Sequence, residues 1–268
     1  MHASINSTRL SLVLRKYWFE NSRQFLLMVL AAAVFLALLM GVNVSFSNPN
    51  LQREEAQMGY FFIGLFLSGC LSAGIHFSAI GSKPTAIHFL LNPASSMEKF
   101  ICALFYGVVL FFLGYVIAFY AIDTTAVLIA NQKFKTHWTV VNILAMDRYE
   151  NRLFDGPQST LLYMYFIAQA FFLLASIYFA KNGLFKGIVG VGIIWVALIF
   201  LAMTLFASFP PGIIFKTINE YEVVDRSGIS RIVIISPIMT TVVLMFYKFL
   251  VTPLLWFCAY LRLKEKHL

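Results

Sequence analysis

FICALFYGVVLFFLGYVIAFYAI, residues 100–122, is twenty-three residues long and carries no charge. A helix needs about 20 apolar residues to cross the hydrocarbon core of a bilayer, so this run predicts a membrane span. The residues directly before it, 82–99, read SKPTAIHFLLNPASSMEK. They open on Lys83 and Pro84, continue as a short amphipathic turn over 85–91, and break at Asn92-Pro93. Ser95 and Glu98 then stand at the Ser-x-x-Glu spacing of a capping box, which predicts that a helix starts here and runs into the span. A connector built this way is a stiff elbow between two spans, not a solvated loop. On the cytoplasmic side of a membrane it offers another protein a place to push.

The whole chain fits that setting. Of its 268 residues 60% are hydrophobic and only 12% charged, with a mean hydropathy of +0.80. A soluble domain keeps roughly a quarter of its residues charged, so most of this surface must face lipid. The formal charge of +8 comes with no basic tract or aromatic-interleaved patch for nucleic acid; basic residues at the ends of spans account for it. Cys70, Cys102 and Cys258 each lie inside an apolar run, without a Cys-x-x-Cys pair, and read as small packing residues.

Six spans are predicted, at 25–46, 58–80, 100–122, 161–180, 187–208 and 244–261, together forming an all-α permease domain over 25–261. Before them, residues 1–24 place Leu10, Leu14, Tyr17 and Trp18 at helical spacing beside Arg9, Arg15 and Lys16. This predicts an amphipathic helix in the headgroup plane, ended by Asn21-Ser22, serving as an anchor or as a docking surface. The first apolar run is too long for a signal-peptide core and no small-residue cleavage site follows, so it is expected to be retained. Only the sixth span contains a charge, Lys248, about a turn from its outer end, where snorkelling or a functional role are the alternatives. Asp123 closes the third span at the interface.

Orientation follows from the basic residues in alternate connectors. With the N-terminus inside, the inner segments hold eleven lysines and arginines against three acids, and the outer connectors eight against eight, leaving aside Asp123 and Lys248. That predicts both termini, the 262–268 tail and the elbow in the cytoplasm. The inner connector from Lys181 to Lys186 is tight. The outer connectors over 124–160 and 209–243 are longer, and the second begins Phe209-Pro210-Pro211-Gly212 and continues apolar through Phe215 before a candidate hairpin over 221–235. Gly64, Ser68, Gly69, Ser72 and Ala73 form a small-residue face on the second span, and Gly183, Gly187 and Gly190 another on the fifth. Such faces serve packing inside the bundle or a homodimer seam.

Candidate chemistry is sparse. The five histidines form no His-x-x-x-His pair, there is no Gly-x-Ser-x-Gly elbow, and no Gly-x-x-x-x-Gly-Lys-Ser/Thr phosphate loop occurs. An enzyme and a resident metal are not expected, and any nucleotide chemistry must belong to another chain. The span centres offer Gln169 and hydroxyls such as Ser68, Ser72 and Tyr115. An ion-coupled carrier would need more intramembrane charge than Lys248 supplies.

In these features the chain resembles the membrane subunit of an ABC-2 type transporter, the exporter-like class of ABC permeases. The inner loop ending Leu91-Asn92-Pro93-Ala94-Ser95-Ser96-Met97-Glu98-Lys99-Phe100 is similar to that family's Leu-Pro-Ala-Ser-x-x-Glu-Lys-Phe pattern, with Asn92 where leucine is common. The six spans, the amphipathic leader and the basic tail from Tyr260 to Lys266 extend the likeness over the whole chain. The resemblance implies a multi-pass protein of the bacterial inner membrane, paired with a second permease chain and with a separate ABC ATPase subunit that binds ATP and Mg. It implies a coupling helix contacting that ATPase through Lys83, Pro84, Thr85, Ile87, His88 and Leu91, with Glu98 and Lys99 in the hinge. It further implies a second contact at Lys181 and Lys186 and re-entrant helices at an exit gate around Pro210, Pro211 and Phe215. The cargo would be hydrophobic or amphipathic. The alternative is a non-transporting anchor, immunity or sensing subunit of a larger complex.

Overall fold

The computed structural model describes residues 7–46, 54–76, 94–135, 137–143, 145, 150–151, 156–157, 159–179, 183–208, 213–215, 220–224, 230–234 and 237–265. Its body is helical. Two long helices come first, α1 (Ser7–Phe46) and α2 (Glu54–His76). The third is built in pieces: α3 (Ser96–Leu104), a π-helical turn (Phe105–Leu110) and α4 (Phe111–Phe134). Then follow α5 (Ser159–Tyr178), α6 (Gly183–Ser208), α7 (Pro237–Phe249) and α8 (Val251–Glu265). Five helical stretches among the described residues are long and apolar enough to cross a membrane: Ser7–Val42, Ala56–Ile75, Ser96–Phe134, Ser159–Tyr178 and Leu244–Glu265. The chain is a multi-pass helical membrane protein.

The first departure from expectation is α1. It passes through Asn21-Ser22 without a break, because the Asn21 side chain donates to the Tyr17 carbonyl at 3.1 Å and so satisfies itself on the helix it was expected to end. Its 40 residues span about 60 Å at 1.5 Å per residue, twice the hydrocarbon thickness. α1 runs parallel to the third helix with a constant offset. Tyr106 donates through its hydroxyl to the Leu14 carbonyl at 2.9 Å, Gly114 faces Phe25 and Val29, and Lys133 donates to the Val44 and Ser45 carbonyls at 3.0 and 3.2 Å. Each α1 residue therefore sits beside the one about 89 positions later. The exposed side chains of Arg15, Lys16, Glu20 and Arg23 are carried up the flank of the inner half of the third helix, instead of lying in a separate surface helix.

The small-residue faces pack within the chain. Gly64 abuts the Tyr115 hydroxyl and Leu36, and Gly69 abuts the ring of Tyr165, so α2 nests between α1, α4 and α5. Gly187 meets Phe172 and Ala175 across the α5–α6 contact. Close backbone approach at such positions is how membrane helices gain packing area where no hydrophobic effect drives association. Two cores result. Named for the side on which the sequence expects them, the outer one joins Leu36, Phe61, Leu65, Phe111, Tyr115, Phe119 and Tyr165; the inner one joins Ala73, Phe100, Ala103, Leu173, Ile177, Ala259 and Leu263. The inner core brings the start of α3 against the end of α8, and Tyr106 contacts the beginning of α1. The beginning of α1 and the end of α8 therefore lie at one end of the bundle.

The final span, Leu244–Glu265, is interrupted at one residue. Leu250 separates α7 from α8, and Pro253 explains it: proline has no N–H to give the Phe249 carbonyl and its ring crowds that oxygen. The helical character also extends outward to Pro237, beyond the expected 244.

The connectors expected on the outer side add two small antiparallel sheets to the helices among the described residues. β1 (Glu150–Asn151) pairs with β2 (Gly156–Pro157). β3 (Ile213–Phe215), β4 (Glu220–Val224) and β5 (Ser230–Ile234) form a sheet in that order. The expected hairpin is β4–β5, registered Glu220↔Ile234 through Val224↔Ser230. The stretch expected as re-entrant helix is strand where described: Ile213, Ile214 and Phe215 pair with Val223, Glu222 and Tyr221. β-Branched and aromatic side chains favour that extended state.

Candidate functional site

The start of α3 is where the elbow sequence meets the bundle. Ser95 is extended (φ −66°, ψ 155°), its hydroxyl accepts from the Glu98 N–H at 3.2 Å, and Glu98 Oε2 accepts from the Ser95 N–H at 2.8 Å. The Lys99 N–H adds a bond to the Ser95 carbonyl at 3.0 Å. This is the reciprocal box expected from Ser-x-x-Glu, and it satisfies amide donors that a helix start leaves open. The side chains are less available than expected. Glu98 is 0% exposed and Lys99 4%, because this turn is pressed against α1 and α8. Glu98 thus serves the chain's own helix start, and among 94–99 only Met97 presents a well exposed side chain. Lys83, Pro84, Thr85, Ile87, His88 and Leu91 lie outside the described residues.

Of the second contact, Lys181 lies outside the described residues. Lys186 is exposed on the first turns of α6, its ammonium 5.3 Å from the centre of the Phe179 ring. Of the residues expected at an exit gate, Phe215 stands on β3 opposite Tyr221; Pro210 and Pro211 lie outside the described residues. Lys248 places its ammonium 5.1 Å from the Tyr163 ring centre, near the outer end of α5. A cation over an aromatic face is partly compensated for lost hydration.

Two polar groupings were not foreseen. Asp123, expected at the interface, is buried, because the helix continues to Phe134 and residues 137–143 fold back over it. Its carboxylate accepts from the Val141 N–H at 3.3 Å, Tyr120 Oη accepts from the Ile143 N–H at 3.2 Å, and Gln57 donates to the Thr139 carbonyl at 3.3 Å. Asn131 closes a two-bond ring with Trp138, accepting at 2.7 Å and donating at 3.0 Å. Tyr120, Asp123 and Asn131 fall on one face at helical spacing, which was the available signal for this outer strap. The second grouping lies near mid-bundle. Gln169 donates to the Gly107 carbonyl at 2.7 Å inside the π-helical turn. One turn away along α5, the Tyr165 hydroxyl is buried without a hydrogen-bond partner among the described residues.

Compared with protein-family models, with curated proteins and with solved structures, the chain finds no match.

Proposed function

We propose that this chain is the membrane permease subunit of an ATP-driven ABC-2 type transporter, exporting a hydrophobic or amphipathic substrate across the inner membrane. The observation that carries the reading is the Ser95–Glu98 capping box, which starts the third long helix directly after the elbow sequence. Six crossings belong to this reading. The crossing added to the five described above is α6, fifth in chain order, whose 26 residues contain Lys186 as their one charge. Both termini and the elbow face the cytoplasm, which the surplus of basic residues in the inner segments supports. Lys83, Pro84, Thr85, Ile87, His88 and Leu91 contact a separate ATPase chain that holds ATP and Mg, with Lys181 and Lys186 as the second contact. Glu98 and Lys99 transmit that contact by fixing the helix start. Pro210, Pro211 and Phe215 line the outer exit, and a second permease chain completes the path.

The test is purification of the tagged full chain from its native membranes in mild detergent. ATPase activity is expected to co-elute, and to be lost when residues 85–91 are deleted while the chain's own melting temperature is unchanged. Full-length chain eluting without any ATPase sinks the reading. The alternative, a non-transporting anchor, immunity or sensing subunit, draws on the close filling of the mid-bundle at Gly64 and Gly69. It predicts the same complex with no ATP-dependent movement of labelled amphipaths in proteoliposomes.

A further inference from the structure

The third helix holds an extra residue in its interior. Leu104 (φ −62°, ψ −43°) and Phe111 (φ −62°, ψ −47°) are regular α-helical residues, so the wide turn is confined between them at Phe105–Leu110. There the Phe111 N–H is shared between the Tyr106 carbonyl, five residues back, and the Val108 carbonyl, three back. Returning from five-residue to four-residue spacing leaves one carbonyl over. The next carbonyl in line, that of Gly107, is taken by Gln169 Nε2 at 2.7 Å. Gln169 is fully buried, and its Oε1 has no hydrogen-bond partner among the described residues. A mid-bundle amide with an unpartnered arm is costly, and its one bond among the described residues is to the wide turn.

The turn also falls between the two cores. Phe100 and Ala103 belong to the inner one, and Phe111, Tyr115 and Phe119 to the outer one. The outer part is tied down, with Tyr115 donating to the Phe61 carbonyl at 2.7 Å. The inner part, α3, has nine residues and begins at its cap, so its first turn can absorb or release a residue.

We propose that Phe105–Leu110 is a hinge clasped by Gln169, and that breaking the clasp lets the extra residue migrate toward Ser96. The residues it passes then shift by one register, turning by about 100° and advancing about 1.5 Å, while α4 stays in place. This device is independent of whether an ATPase is the partner that drives it.

The test uses the full chain in nanodiscs, with hydrogen exchange over 96–130. Nitroxide pairs are placed at Met97→Cys and Ile117→Cys after Cys70, Cys102 and Cys258 are replaced. Gln169→Met, close in volume but without the donor, is expected to speed exchange over 96–110 about fivefold, the factor carried by one hydrogen bond of typical net strength. Exchange over 113–130 stays unchanged, and a second nitroxide distance appears. Deleting Val109 removes the extra residue; that variant gives one distance, and Gln169→Met then has no further effect on it. The proposal is overturned if Gln169→Met leaves exchange and distance unchanged, or speeds 96–110 and 113–130 alike. If the deletion variant does not fold, Gln169→Met in the full chain decides alone by the same two readouts.

Discussion

Replacing Gly64 by alanine tests the packing at the middle of the outer core. A Cβ at Gly64 would overlap the Tyr115 hydroxyl and lie 2.7 Å from Leu36 Cδ2. Neither neighbour can easily give way. Leu36 and Tyr115 are both 0% exposed, and the Tyr115 hydroxyl is held by its 2.7 Å bond to the Phe61 carbonyl. Forcing a methyl into a filled core costs about 1–3 kcal/mol, and displacing the hydroxyl forfeits a net hydrogen bond of about 0.5–1.5 kcal/mol. Relative to a glycine-to-alanine exchange at an open helical position, which itself gains up to about 1 kcal/mol, the expected loss is about 1.5–4.5 kcal/mol, read as the shift in reversible unfolding of the detergent-solubilised chain followed by circular dichroism. Gly59→Ala and Gly41→Ala are the controls, since nothing lies within 4 Å of a Cβ at either position. Both sit inside helices, where exchanging glycine for alanine is neutral or stabilising. Part of the Gly64→Ala penalty should vanish in a Tyr115→Phe background, leaving the Leu36 overlap. A Gly64→Ala variant as stable as Gly59→Ala would refute this account of how α2 packs.

Asn21→Pro should destabilise the chain by about 3 kcal/mol or more, since proline inside a helix removes a bond and clashes with the preceding turn; a melting temperature equal to that of the parent would show that α1 bends at Asn21 after all. Tyr165→Phe removes a buried hydroxyl that has no hydrogen-bond partner among the described residues, and is expected to be neutral or to stabilise by about 1 kcal/mol, measured by the same unfolding transition. A clear loss of stability would mean that the hydroxyl has a partner in the folded protein.

What the sequence made legible was local. Charge-free runs predicted the membrane-crossing helices, Ser95 and Glu98 predicted their own capping box, and the β-forming residues on either side of Asp225-Arg226-Ser227-Gly228 predicted the β4–β5 hairpin. Each signal is complete within a few residues. What escaped depends on distant partners. Asn21 is a poor helix former, but a helix with long apolar continuation keeps it, and its amide is absorbed by Tyr17. The burial of Glu98 and Lys99 comes from α1 and α8, far away in sequence. The wide turn at Phe105–Leu110 leaves no mark on its own residues, because the group that uses its spare carbonyl is Gln169, 62 positions later. A lone glutamine in an apolar helix was the visible half of that pair.

The placement of these two features has a mechanical consequence. α3 is bounded by side-chain hydrogen bonds at both ends, the Ser95–Glu98 box at its start and the Gln169 clasp just beyond its finish. Between them it packs on α1 and α8, whereas α4 packs on α1 and α2. A force applied through the elbow would reach α8 directly, by way of Phe100 against Tyr260 and Leu263. It would reach the outer core only after crossing the wide turn. On the transporter reading, the inner half of the bundle can therefore move first, with Gln169 setting the threshold. A chain that only anchored its partners would gain nothing from an interruption there, and a straight helix from Ser96 to Phe134 would serve it better. On that reading, the cost of keeping Gln169 buried with its Oε1 unpartnered among the described residues is what the motion at Phe105–Leu110 would relieve.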